Sequence, residues 1–222
     1  MEIDASLPKD QRILLAAESV FSGRGYEKST VDEIITLADV GKGTLYKYFG
    51  NKEQLFYKLI TDKNTPFVER LQAAVDNNDR FETKLLAYVE EMIDFYRKNH
   101  GLWQIICFEM LGFSNGCRIV VENGESKVLS RYSNIEPSEE LKNQILRYHK
   151  IMRSEFIILF DLINKGMLDG TLKKSDAVLV TREFFWSIVM CIFNPTDYDS
   201  TLSNTEAAEF VIDRFLYGSA EK

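Results

Sequence analysis

Apolar residues recur at helical spacing along most of this chain, and turn residues divide them into segments. From about Pro8 to Ser22, Ile13, Ala16, Ala17, Val20 and Phe21 share one face, and Gly23 and Gly25 stop the helix. Thr30 opens a second helix as a T-x-x-E capping box with Glu33, with Val31, Ile34, Ile35 and Ala38 inward. A tight turn at Asp39-Val40-Gly41 leads into a two-turn helix, Lys42 to Phe49. Asn51 caps a fourth, with Gln54 at its third position, running through Leu55, Phe56, Leu59 and Ile60 to about Asn77 and bent or interrupted before Pro66. Another spans about Arg80–Asn99. Gly101 to Phe113 is apolar almost all round and reads as buried. A short helix around Arg118–Asn123 and a loop ending at Pro137 follow. A long helix runs from Ser138 to about Met167, closed by Gly170, and two more cover 176–193 and 204–217, with Pro195 between them. No repeat and no strand-like alternation is evident, so the fold class is all-α.

The two-turn helix is unusual. Leu45 and Phe49 (i, i+4) share one side and reach a core, whereas Gly43, Thr44 and Lys47 fall on the far side, flanked by Tyr46 and Tyr48. So short a helix has too little apolar area to be kept for packing alone, and its outer face suits a DNA groove. With the two helices before it, it makes a helix-turn-helix unit of about fifty residues.

The run Thr30-Val31-Asp32-Glu33-Ile34, then Ala38 through Phe49, then Asn51-Lys52-Glu53-Gln54-Leu55, resembles the DNA-binding domain of the TetR family of one-component bacterial regulators. The likeness covers roughly residues 10–58. Two positions depart from it. Asp39 stands where the family commonly has a turn Gly, though Asp tolerates left-handed backbone angles better than most residues. Gly41 stands where Ser often caps the recognition helix, so one hydroxyl contact to phosphate is missing.

The resemblance implies an N-terminal three-helix DNA-binding domain over 1–51 and a larger helical ligand-binding and dimerisation domain over 52–222. It assigns Thr30, Lys42, Tyr46, Tyr48 and Lys52 to the sugar-phosphate backbone and makes Gly43, Thr44 and Lys47 the base-edge readers. It also implies a homodimer through helices 176–193 and 204–217, the first of which has more apolar surface than one chain needs. The partners are then double-stranded DNA carrying a palindromic operator and a small-molecule effector; most members repress until the effector releases them. Candidate effector-lining residues are Phe95, Trp103, Phe108, Glu109, Tyr148, Met152, Phe156 and Trp186. Glu109, set among Ile105, Ile106, Phe108 and Leu111, reads as a buried carboxylate. It either counters a cationic ligand or bonds to Tyr, Trp or Arg within the fold.

Charge changes the picture locally. The chain carries 27 Lys+Arg against 34 Asp+Glu, a net of −7, the wrong sign for bulk DNA coating. Between Lys42 and Lys58, however, four lysines (42, 47, 52, 58) face one acid, Glu53, a net of +3. An acidic body with a small basic foot favours site-specific binding. No apolar run approaches membrane-spanning length, and the N-terminus, with Glu2 and Asp4, lacks a signal peptide's pattern, so a cytoplasmic protein without membrane contact is expected. Cys107, Cys117 and Cys191, with His100 and His149, form neither a metal-spaced nor a catalytic set. No enzyme activity, catalytic residue, metal or cofactor is expected.

Overall fold

Most of the breaks in the apolar pattern become element boundaries in the computed structural model, which describes residues 3–111, 116–122, 125–132, 136–193 and 202–218. Helix α1 spans Lys9–Arg24, α2 Val31–Ala38, α3 Lys42–Phe49, α4 Lys52–Asp76, α5 Phe81–Lys98 and α6 His100–Ile105. Strands β1 (Cys117–Glu122) and β2 (Glu125–Ser130) come next, then α7 (Glu139–Leu168), α8 (Ala177–Phe193) and α9 (Asn204–Tyr217). The described residues form two compact units. One comprises Met1–Asn64 with His100–Ile151, the other Thr65–Asn99 with Met152–Lys222.

The first unit has a core of Ile13, Ala16, Ala17 and Phe21 from α1, Ile34 and Ala38 from α2, Leu45 from α3, and Leu55 and Phe56 from α4. Gly101 of α6 lies so close to α1 that an added Cβ would stand 2.8 Å from the Ser22 carbonyl oxygen, so only glycine fits. In the second unit, Phe67 stacks on Phe95 with ring centroids 3.7 Å apart, and Phe184 of α8 stacks on Phe215 of α9 at 4.1 Å. Arg97 of α5 donates to the Leu202 carbonyl and to Asn204 Oδ1, both at 2.9 Å, which pins the start of α9.

Three expectations are corrected. The segment from Arg118 forms no helix; it is half of an antiparallel hairpin, with Ile119 opposite Val128 and Val121 opposite Ser126. The β-branched run Ile119-Val120-Val121 favours an extended backbone. A lone hairpin is marginal in water, and this one is held by burying Cys117 and Val128 against Ile145, with Ile119, Leu141 and Leu146 around them. Helix α4 is not interrupted at Pro66 but continues through it to Asp76. Proline there removes one hydrogen bond, and the buried Leu59, Ile60, Phe67 and Leu71 on either side hold the helix regardless. The segment after Gly101 is not buried all round. Beyond Ile105 it widens into a π-helical turn over Ile106–Met110, with the Leu111 amide donating to the Ile106 carbonyl at 3.2 Å, and Phe108 is left 44% exposed. Phe113, Asn123 and the Pro195 linker lie outside the described residues.

Candidate nucleic-acid interface

The turn between α2 and α3 sets the geometry of the candidate interface. Thr30 closes a full capping box at the start of α2: its hydroxyl accepts from the Glu33 amide at 3.2 Å, and Glu33 Oε2 accepts from the Thr30 amide at 2.9 Å. At the other end Asp39 adopts a left-handed conformation (φ 50°, ψ 55°) and caps α2, the role expected of a turn glycine. Arg12 braces this turn from the core of α1. It is buried, its Nη2 donates to the Asp39 carbonyl at 3.1 Å, and its Nη1 lies 3.7 Å from Asp39 Oδ2. Sequence reasoning missed Arg12; the available signal was an arginine beside Ile13 on the inward stripe of α1.

Gly41 is the N-cap of α3, extended at φ −74° and ψ 149°, with no side chain to bond the helix. Leu45 is fully buried and anchors α3, while Lys42, Gly43, Tyr46, Lys47 and Tyr48 are exposed and Thr44 half-buried. Tyr46 and Tyr48 are 44% and 52% exposed, so neither is a packing aromatic. At the foot of α4, Asn51 Oδ1 accepts from the Gln54 amide at 2.8 Å, the cap the sequence predicts.

The cations differ in their surroundings. Lys47 makes no ion pair among the described residues. Lys42 Nζ lies 2.9 Å from Asp32 Oδ1, and that hydrogen bond and charge raise its pKa. Lys52 is half-buried with Nζ 4.3 Å above the Tyr26 ring. Burial lowers its pKa, against the opposing pull of Glu27, Glu109 and Glu33. The Tyr26 phenol, packed beside Phe21 and Phe56, is pushed up to about 12 by burial, with Glu53 and Glu27 adding to it.

The eight candidate effector-lining residues are divided between the two units. Trp103, Phe108, Glu109 and Tyr148 belong to the first unit, and Phe95, Met152, Phe156 and Trp186 to the second. Trp103 and Tyr148 are wholly buried; Tyr148 donates to Glu53 Oε1 at 3.3 Å, and Arg147 Nη1 sits 3.1 Å from Glu53 Oε2. Glu109 is half-buried and not enclosed. Its carboxylate rests against Gly25, and Oε2 accepts from the Glu27 amide at 3.3 Å. Its apolar neighbours in sequence do not enclose it across the π-helical turn. Among the described residues the wholly buried acid is Glu155, whose Oε2 accepts from the Tyr96 hydroxyl at 2.6 Å and whose carbonyl accepts from Tyr88 at 3.0 Å. Glu155 falls on the α7 stripe through Tyr148, Met152 and Leu159. In the second unit Phe95 and Met152 are buried, whereas Phe156 and Trp186 are half-buried around the Phe185 ring.

Residues 13–59 match the family described as bacterial regulatory proteins, tetR family. The HTH-type transcriptional regulator YhgD of Bacillus subtilis is 33% identical over 189 residues, 85% of each chain. The chain belongs to the tetR family of bacterial regulatory proteins. It is a helix-turn-helix, DNA-binding transcriptional regulator. Two solved structures share its fold. FadR from Bacillus subtilis, in complex with stearoyl-CoA, superposes with a TM-score of 0.70 at 23% identity, covering 95% of this chain and 99% of that one. AibR, in complex with isovaleryl coenzyme A and operator DNA, gives 0.67 at 17% identity, covering 94% and 99%. Among the described residues no helix is long and apolar enough to cross a membrane.

Proposed function

We propose that this regulator is a cytoplasmic repressor without enzymatic activity, released from a palindromic operator by a fatty acyl thioester of coenzyme A. The observation that carries the DNA-binding part is α3. It is held by one buried leucine and two capped neighbours, and its outer face presents Gly43, Thr44 and Lys47 to solvent. Residues 1–51 are the reading domain and 52–222 the effector and dimerisation domain. Lys47 donates to a guanine edge, Thr44 offers a methyl and a hydroxyl, and Gly43 allows close approach. Thr30, Lys42, Tyr46, Tyr48 and Lys52 hold the sugar-phosphate backbone and set register.

Helices α8 and α9 pair with their copies. Val178, Leu179 and Met190 of α8 and Phe210 and Tyr217 of α9 are large apolar side chains exposed on one chain, which a second chain would cover. The effector class rests on the ligands of FadR and AibR. The acyl chain would lie among Phe95, Met152, Phe156 and Trp186, with Trp103, Phe108, Glu109 and Tyr148 as further candidates. A ~100-fold release requires the effector to prefer the non-binding conformation by about 2.7 kcal/mol.

The test is selection of genomic fragments by the purified protein at about 150 mM salt, followed by titration of the retained complex with stearoyl-CoA and with free coenzyme A. A palindrome with half-sites about one helical turn apart, released by the acyl thioester alone, is expected. Retention without sequence preference would overturn the operator reading, and a complex indifferent to acyl thioesters would overturn the effector class.

A further inference from the structure

Two of the groups assigned to phosphate contact, Thr30 and Lys42, already hold anions. Glu33 takes both the amide and the hydroxyl of Thr30, each at 2.9 Å, and is itself paired with Arg24. Asp32, one position earlier on the first turn of α2, holds Lys42, the first residue of α3, at 2.9 Å. Both partners of this pair are open to solvent, at 52% for the lysine side chain and 70% for the aspartate. No buried group requires Asp32, so packing does not account for it. Lys47, on the same short helix, has no such partner among the described residues. Within α3 the division follows function: Lys42, assigned to the backbone, is neutralised from within, and Lys47, assigned to a base edge, is not; Lys52, on α4, lies over the Tyr26 ring instead.

We propose that Asp32 is a phosphate mimic that holds Lys42 and lowers the affinity of the reading domain for all DNA, leaving base preference untouched. The inference rests on the reading of α3 as the DNA-contacting helix. A phosphate reaching Lys42 must displace the carboxylate or share the ammonium with it, so the contact exchanges one anion for another instead of gaining a new pair. Sharing brings two like charges within a few ångströms, where repulsion is felt even near water. Because every sequence presents the same phosphates, the cost is the same on cognate and random duplexes. Pre-neutralised Lys42 also weakens the salt dependence, since that dependence scales with the number of phosphates the protein neutralises. For a chain of net charge −7, the pair further limits non-specific attraction at this basic face.

The experiment uses the full chain, the palindrome recovered by fragment selection, and a shuffled duplex of the same length, with fluorescence anisotropy between 50 and 300 mM KCl. Asp32→Asn should tighten both duplexes by roughly 2–5-fold per protomer, the range expected for releasing an exposed ion pair. It should steepen the salt slope by about one per protomer and leave the ranking of half-site base variants unchanged. In a Lys42→Ala background the same substitution should gain little. Asp62→Asn, which removes an equal charge from the exposed Lys58–Asp62 pair of α4, should not reproduce the effect. Unchanged affinity and slope in Asp32→Asn would overturn the proposal, as would an equal gain without Lys42. If Lys47→Ala bound the palindrome like the parent, the reading of α3 would itself fail. Loss at Lys47 with no effect at Asp32 would defeat this inference alone.

Discussion

Replacing Gly41 with Ser would restore the cap that α3 lacks, and its effect on folding and on DNA binding can be worked out in advance. The backbone at Gly41 (φ −74°, ψ 149°) is one any residue adopts. An added Cβ would meet nothing nearer than Thr44 Oγ1, at 4.0 Å. The substitution is therefore free of strain. Serine caps better than glycine by a few tenths of a kcal/mol, and removing a glycine from the unfolded chain adds about 0.4–1 kcal/mol. Together these stabilise by about 0.5–1.5 kcal/mol, which for a chain of this size raises Tm by about 1–6 °C. The hydroxyl can accept from a free amide of the first turn and still donate to a phosphate, because it carries one donor and two acceptors. A hydrogen bond to the charged phosphate, about 1.5–3 kcal/mol, would tighten operator binding by roughly 10–150-fold per protomer. Thermal melting and anisotropy titration on the recovered palindrome measure the two effects separately. A lower Tm would refute the cap geometry. A higher Tm with unchanged or weaker DNA binding would refute the placement of this helix start against phosphate.

Other substitutions separate the remaining roles. Lys47→Ala should cost about 1–3 kcal/mol on the palindrome and relax preference at one base pair, read by titrating half-site variants. Lys52→Ala should weaken all sequences alike and reduce the salt slope by about one; a change confined to one base position would contradict its assignment to the backbone. Leu45→Ala empties the fully buried anchor of α3 and should cost about 2–5 kcal/mol in urea unfolding. The Tyr26 phenol, raised to about 12, keeps its proton in the fold where an unfolded tyrosine ionises near 10. Its contribution to stability is therefore full below about pH 10 and is lost as pH rises from there through about 12. Tyr26→Phe should flatten the decline over that window in pH-dependent melting.

Sequence and tertiary structure divided the description unevenly. The reading domain was legible almost residue by residue because its signals are local. The Thr30–Glu33 and Asn51–Gln54 caps act over three residues, and Asp39 takes its left-handed angle within a single turn. The apolar period of the later helices placed their ends within a residue or two for the same reason. The hairpin was missed although Asn123-Gly124, a strong turn signal, stands between two β-prone runs. The helical pattern on both sides outweighed it, and its stability comes from Ile145 and Leu141 of α7, distant in sequence.

Ionic and polar partners distant in the chain lay beyond the sequence. It offered several acids for Lys42 and Lys52, and only the fold chose Asp32 for one and the Tyr26 ring for the other. It offered Glu109 as the buried carboxylate, and the fold enclosed Glu155 instead, because enclosure depends on which hydroxyl stands opposite and Tyr96 stands opposite Glu155. By itself the chain determined where its helices start, stop and turn their apolar faces, since those choices are settled within a few residues. The tertiary structure alone decided which charges are paired, which are buried and which stay open to DNA, since each depends on groups brought together from far apart in the chain.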